Sequence, residues 1–180
     1  MPVNASNSDL DWQAPDFNLI SVDEQYYSLS QLCGKNGTLI AFICNHCPYV
    51  IRIIERLVSE SIELTNIGVS TIAIMSNDVK QYPEDSYEKM KEFSLKYDFK
   101  FHYLYDSTQQ VARDYKAVCT PDIFGFNKDL QLKYRGRIDS KVVENDNNDI
   151  KREMYEAMKL ITETNQGPIN QFNSFGCSIK

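Results

Sequence analysis

The chain has no surplus of basic charge, no long apolar run and no paired set of cysteines, and each absence removes a class of protein. Its 180 residues carry 19 Lys and Arg against 25 Asp and Glu, a formal charge of −6. That balance argues against a general nucleic-acid binder or a protein held on anionic lipid, both of which need excess Lys and Arg. No window approaches the about 18 apolar residues of a membrane-spanning helix. The first twenty residues hold no Lys or Arg and no apolar stretch of the kind that forms a secretory signal. The expectation is a cytoplasmic protein with no membrane span. There is no internal repeat and no low-complexity tract. Hydrophobic residues make up 42% and charged residues 24%, which excludes disorder as the main state. A chain of this length buries roughly 70% of its unfolded surface and needs no disulfide staples. The cysteines, Cys33, Cys44, Cys47, Cys119 and Cys177, number five, and an odd count excludes a fully paired secretory framework. In a cytosolic chain such residues point to catalysis or metal binding.

Thr38–Ile43 is an unbroken apolar, β-prone run typical of a strand buried on both faces. Pro48 opens a helix to about Asn66, whose inner face is supplied by Val50, Ile51, Ile54, Leu57, Val58, Ile62 and Leu64, with Gly68 just past its end. A second buried strand follows at 69–75, a helix at 83–97, a strand at 101–105 and a helix at 108–115. A hairpin joins 122–126 to 130–137, and a last helix runs from 149 to 164. The acidic residues Glu144, Asp146 and Asp149 mark the start of that helix and lack the ligand pattern of a Ca²⁺ loop. This order implies an α/β fold with a mixed central β-sheet flanked by helices on both faces. Residues 1–15 read as a flexible N-terminal arm, 16–164 as one domain, and 165–180 as a C-terminal tail packing near it.

Cys44-Asn45-His46-Cys47 lies between the buried strand and the long helix. Free N–H groups and the positive end of the helix dipole stabilise a thiolate there. A protonated His46 beside the thiols would lower their pKa further. Two sulfurs three residues apart in a first helical turn can close into a disulfide with little backbone movement. Cys44 is therefore expected as the exposed nucleophile and Cys47 as its resolving partner. Half a zinc site, or two buried structural cysteines, is the plainer alternative. Thr120-Pro121, just before a strand, is where a cis peptide would leave the N–H and C=O of Thr120 free to bind an extended substrate. Cys119 is read as a small buried hydrophobe or a third redox thiol. Cys177 is read as an accessory redox thiol, which a tail folding back would bring to Cys119 or Cys44 in a regulatory or resolving disulfide, and Cys33 as incidental. His102 reads as structural.

Ala14-Pro15-Asp16-Phe17-Asn18-Leu19, Cys44-Asn45-His46-Cys47-Pro48-Tyr49 and Cys119-Thr120-Pro121-Asp122-Ile123-Phe124 resemble the thioredoxin superfamily. They are most similar to its peroxiredoxin-like (AhpC/TSA) branch carrying a Cys-x-x-Cys and to thiol–disulfide interchange proteins. Tyr134–Asp139 and Gly176–Lys180 extend the likeness over about residues 10–180. The resemblance implies a thioredoxin-like fold, Cys44 and Cys47 as the redox pair, Pro121 as a cis-proline, and no cofactor beyond the redox-active disulfide. Arg135 and Arg137, flanking Gly136, suit a solvated face as well as the role of holding peroxide and thiolate charge that a resemblance to peroxiredoxins would imply. The chain departs from the peroxiredoxin signature Pro-x-x-x-Thr/Ser-x-x-Cys. Aligned on Cys47, Cys44 and Ile40 replace the hydroxyl residue and the proline; aligned on Cys44, Ala41 and Gly37 do. Leu39–Ile43 also lacks the buried acid of thioredoxin, for which Glu24 or Asp122 are the candidate substitutes.

The leading expectation is a thiol–disulfide oxidoreductase acting on protein or small-molecule thiols and disulfides. The alternative is a peroxiredoxin-like thiol peroxidase that forms a sulfenic acid. A copper-chaperone-type carrier is the third, since two thiolates suit Cu(I), with His46 or His102 as the available third ligand. Oligomeric state is not legible.

Overall fold

The computed structural model describes residues 2–4, 10–142 and 150–180. In chain order the elements are β1 (Pro2–Asn4), β2 (Asn18–Ser21), β3 (Tyr26–Ser28), α1 (Leu29–Leu32), β4 (Gly37–Phe42), α2 (Pro48–Asn66) and β5 (Val69–Met75). They continue with α3 (Tyr87–Lys96), β6 (His102–Tyr105), α4 (Gln110–Asp114), β7 (Cys119–Thr120), β8 (Asp122–Asn127), β9 (Leu132–Gly136), α5 (Glu153–Thr164) and β10 (Phe175–Ser178). Seven strands form one mixed sheet in the order β3-β2-β6-β5-β4-β8-β9. The β4–β5 and β5–β6 pairs are parallel, as crossover helices require, and the remaining neighbours are antiparallel. No helix among the described residues is long and apolar enough to cross a membrane.

β4 lies inside this sheet and shows why its sequence is continuously apolar. Leu39, Ala41 and Ile43 join a core beneath α2, α3 and α5, while Ile40 and Phe42 point into a second core beneath α1 and α4. Alternation across one strand thus feeds two hydrophobic layers. The helix α2 buries Val50, Ile53, Ile54, Leu57 and Leu64 as a stripe of helical period. Ile51 and Ile62, expected on that stripe, lie off it and are exposed. Gly68 follows α2 with a φ of +81°, the conformation a side chain resists, and its N–H closes the helix on Thr65 O.

Four boundaries differ from the expectation. The helix expected over 83–97 is broken: a 3₁₀ turn at Pro83–Asp85 precedes α3, because Ser86 is extended (φ −56°, ψ 157°). The break turns Asp85 inward, where it is wholly buried. The arm expected over 1–15 is in part built into the fold. Trp12 meets Tyr115, Phe124 and Phe126 edge-on, and β1 pairs with β10. Part of the 165–180 tail is likewise a strand, β10, held between β1 and β7 in a small second sheet. The last helix begins at Glu153, and the acidic residues Glu144, Asp146 and Asp149 lie outside the described residues.

Candidate active site

The strand-to-helix junction positions both sulfurs. The Ile43 N–H extends the parallel ladder to Ile74 O, Cys44 follows immediately, and Cys47 is the N-cap of α2 with Pro48 as its first helical residue. Both side chains are buried: Cys44 is 1% exposed and Cys47 0%. Cys44 is therefore not the exposed sulfur expected from a loop, because the Thr120 strand end covers it. Cys44 Sγ lies 3.3 Å from Thr120 Oγ1, and the Cys47 thiol, while protonated, donates to Thr120 O at 3.2 Å. The Thr120–Pro121 peptide is cis, as expected.

The two thiols titrate as a pair. The first charge settles on Cys47, whose pKa is lowered to about 4, chiefly because the Cys44 thiol donates to it. The Val50 N–H, the Cys177 N–H and the Cys177 thiol add to this, although Val50 falls short of a formal side-chain cap. Cys44 is driven the opposite way by its bond to Cys47, by burial and by the negative charge of Asp85. The helix N-terminus thus stabilises the second sulfur of the motif rather than the first.

Asp85 is the residue that sequence reasoning missed. It accepts the Asn45 N–H at 2.8 Å and Asn77 Nδ2 at 2.7 Å. His46 Nδ1 lies 2.7 Å from Asp85 Oδ2, off the line of a hydrogen bond, and its ring stacks on Tyr82 with centroids 5.4 Å apart. His46, expected to act directly on the thiols, thus faces the buried carboxylate. Tyr103, wholly buried, donates to Asn45 Oδ1 at 2.9 Å and braces the same loop. The candidates named for the missing acid sit elsewhere. Glu24 pairs with Lys91 at the surface, and Asp122 is bound to Arg135. Donor atoms of Cys44, His46 and Asp85 all lie within 4.8 Å of one another. This mixed S, N and O set suits Zn²⁺ better than Cu(I).

The remaining expected residues separate clearly. Cys119 is wholly buried beside the cis peptide, donates to Pro121 O at 3.5 Å, and has its pKa pushed up by burial and by Asp122. Cys177 is half-buried and stands opposite Thr120 in β10; it neighbours Cys47, and its charge is also felt at Cys119. Thr120 is not open to a substrate strand, because it pairs with Cys177 of β10. Cys33 is exposed on α1's far end, and His102 packs on Tyr27 at the opposite sheet edge. Arg135 and Arg137 are locked in ion pairs with Asp122 and Glu153 and lie over Phe124 and Phe172. A small cleft lined by Tyr49, Arg52, Pro121, Ile138 and Phe175 opens beside the cis-proline.

The sequence profile of the AhpC/TSA family matches residues 11–135. A search of curated proteins finds no match. Among solved structures, an uncharacterized conserved protein from Geobacillus kaustophilus is 40% identical with a TM-score of 0.94, covering 100% of this chain and 96% of that one. A hypothetical protein from Sinorhizobium meliloti is 30% identical with a TM-score of 0.91, covering 98% and 97%. A secreted Mycobacterium tuberculosis disulfide oxidoreductase, 16% identical with a TM-score of 0.55 over 65% of this chain and 80% of that one, shares the thioredoxin-like fold.

Proposed function

The chain belongs to the AhpC/TSA family, and from that premise we propose that it is a thiol–disulfide oxidoreductase whose redox element is the Cys44/Cys47 pair itself. The observation that carries this reading is the place of Cys47 as the N-cap of α2, three residues after Cys44 at the end of the buried strand, where the helix N-terminus favours a thiolate. Cys47 is then the attacking sulfur and Cys44 the resolving one, the reverse of the roles expected from the motif alone. The Cys47 thiolate bonds to one sulfur of a substrate disulfide and the other sulfur leaves with the electron pair. Cys44 then gives up its proton and attacks Cys47 Sγ, and the bound substrate half departs as a second thiol. The protein is oxidised to the Cys44–Cys47 disulfide as the substrate is reduced. Asp85, within 4.8 Å of Cys44 Sγ, is the group on hand to take the Cys44 proton.

The near-complete burial of both sulfurs supports a second reading, a thiol peroxidase, since a peroxide reaches a buried thiolate more readily than a protein disulfide does. There Cys47 would become a sulfenic acid that Cys44 resolves with loss of water. Peroxide consumption and reduction of oxidised glutathione, measured side by side for the wild type, Cys44→Ser and Cys47→Ser, separate these readings. The oxidoreductase reading expects Cys47→Ser to abolish exchange and Cys44→Ser to accumulate a mixed disulfide on Cys47. Exchange that survives Cys47→Ser and vanishes in Cys44→Ser would overturn the role assignment. Peroxide turnover far exceeding disulfide turnover would replace the first reading with the second.

A further inference from the structure

The backbone edge at Thr120, where an extended substrate would pair, is filled by the protein's own strand. In β10, Cys177 stands opposite Thr120 and Ser178 opposite Cys119, and the Ile179 N–H continues to Val118 O at 3.1 Å. The other edge of β10 is paired with β1, with Val3 opposite Gly176. The strand is also pinned at both ends. Phe175 packs edge-on against Tyr49 with ring centroids 5.1 Å apart, the Lys180 N–H donates to Asn77 Oδ1 at 2.8 Å, and the Asp78 N–H donates to Lys180 O at 2.9 Å. Asn77 uses its other end on Asp85, so a single side chain ties β10 to the redox loop. Gly176 lets the strand come this close, since a Cβ there would lie 2.1 Å from Thr120 O. The result is that Cys177 stands opposite Thr120, whose carbonyl lies 3.2 Å from Cys47 Sγ, and packs against the core that holds Cys47.

Resting on the Cys44/Cys47 reading, we infer that Cys177 is a third redox thiol, which takes the disulfide from the buried pair and presents it at the half-buried strand β10. Starting from the Cys44–Cys47 disulfide, Cys177 loses its proton to solvent and its thiolate attacks Cys47 Sγ. The Cys47–Cys177 bond forms, the Cys44–Cys47 bond breaks, and the electron pair leaves on Cys44, which takes up a proton. No net oxidation occurs. An incoming reductant thiolate then attacks Cys177 Sγ, the accessible end of the new bond. Cys47, the better-stabilised thiolate, is the leaving group. This arrangement adds a more accessible route to the pair, whose own sulfurs are 1% and 0% exposed.

The test is disulfide mapping. The wild type, Cys44→Ser, Cys44→Ala and Cys177→Ser are treated with one equivalent of hydrogen peroxide, blocked with N-ethylmaleimide and peptide-mapped by mass spectrometry. In the Cys44 variants peroxide converts Cys47 to the sulfenic acid, and the Cys177 thiol condenses with it to release water. The expected result is a Cys47–Cys177 link in both Cys44 variants and a Cys44–Cys47 link in Cys177→Ser. Oxidised Cys177→Ser is expected to be reduced by glutathione at least tenfold more slowly than the oxidised wild type. Alkylated Cys177 in both Cys44 variants, or equal glutathione rates, would overturn the inference while leaving the Cys44–Cys47 pair intact. Absence of the Cys44–Cys47 link from both the wild type and Cys177→Ser would instead sink the underlying reading.

Discussion

Replacing Asp85 tests how the redox loop is held and how Cys44 loses its proton. Its carboxylate is the shared acceptor for the Asn45 N–H and for Asn77 Nδ2, and Asn77 is itself only 3% exposed. Asp85→Ala leaves both donors without a partner. A hydrogen bond to a charged group contributes about 1.5–3 kcal/mol, and a buried donor left unpaired adds to the loss. With Asn45 partly exposed and at the low end, the sum is about 3–5 kcal/mol. For a protein of this size each kcal/mol lowers Tm by roughly 2–4 °C. Asp85→Ala is therefore expected to melt at least about 6 °C below the wild type by calorimetry. The isosteric Asp85→Asn destabilises less, because its amide oxygen can still serve one donor. It also removes the proton acceptor of the resolving step. In single-turnover resolution of a mixed disulfide on Cys47, Asp85→Asn is expected to be slower at pH 7 by roughly a hundredfold, within the range of general-base effects. Its rate should climb with pH as hydroxide takes over the role. An unchanged Tm in Asp85→Ala, together with an unchanged pH–rate profile in Asp85→Asn, would refute the assignment.

Arg135→Ala strands the fully buried Asp122 without the guanidinium that contacts it at 2.8 Å. A loss of about 3–5 kcal/mol in urea unfolding is expected, and Asp122→Asn/Arg135→Met should recover much of it because no unpaired charge remains. Glu60 is held by burial at a pKa of about 7 against an ordinary 4.5. Its native state therefore binds a proton that the unfolded chain releases, and stability falls as pH rises from about 4.5 to 7, then levels off. The drop is at most about 3 kcal/mol, and Glu60→Gln should flatten it in unfolding curves taken across that range. Gly176→Ala places a methyl group against Thr120 O, so amide hydrogen exchange at Thr120 and Cys177 should quicken while β4 and β5 stay protected.

The central architecture was legible because it is written in local pattern. The unbroken run of β4, the helical stripe of α2 and Pro48 at its start locate the Cys-x-x-Cys, and Thr120-Pro121 locates the strand end that covers it. Asp85 was hidden for a local reason too: Pro83-Glu84-Asp85-Ser86 reads as an ordinary helix start, and only the extended Ser86 turns the carboxylate inward. Nothing in that stretch signals burial, apart from a Pro-bounded acidic turn shortly after a strand. β10 was harder still. Phe175-Gly176-Cys177-Ser178 is only four residues long and contains a glycine, and it is held as a strand by β1 and β7 on either side. The assignment of charge between Cys44 and Cys47 is also invisible in the motif. It depends on Asp85 facing one sulfur, and on the helix N-terminus and Cys177 facing the other.

Thiolate absorbance at 240 nm, followed against pH in the reduced wild type, Cys44→Ser and Cys47→Ser, bears most directly on that charge. A thiolate on Cys47 predicts absorbance that persists at pH 7 and disappears near pH 4 in the wild type. It predicts the same signal, shifted upward, in Cys44→Ser, and none below pH 7 in Cys47→Ser. A neutral-pH signal that survives Cys47→Ser and is lost in Cys44→Ser would contradict the account.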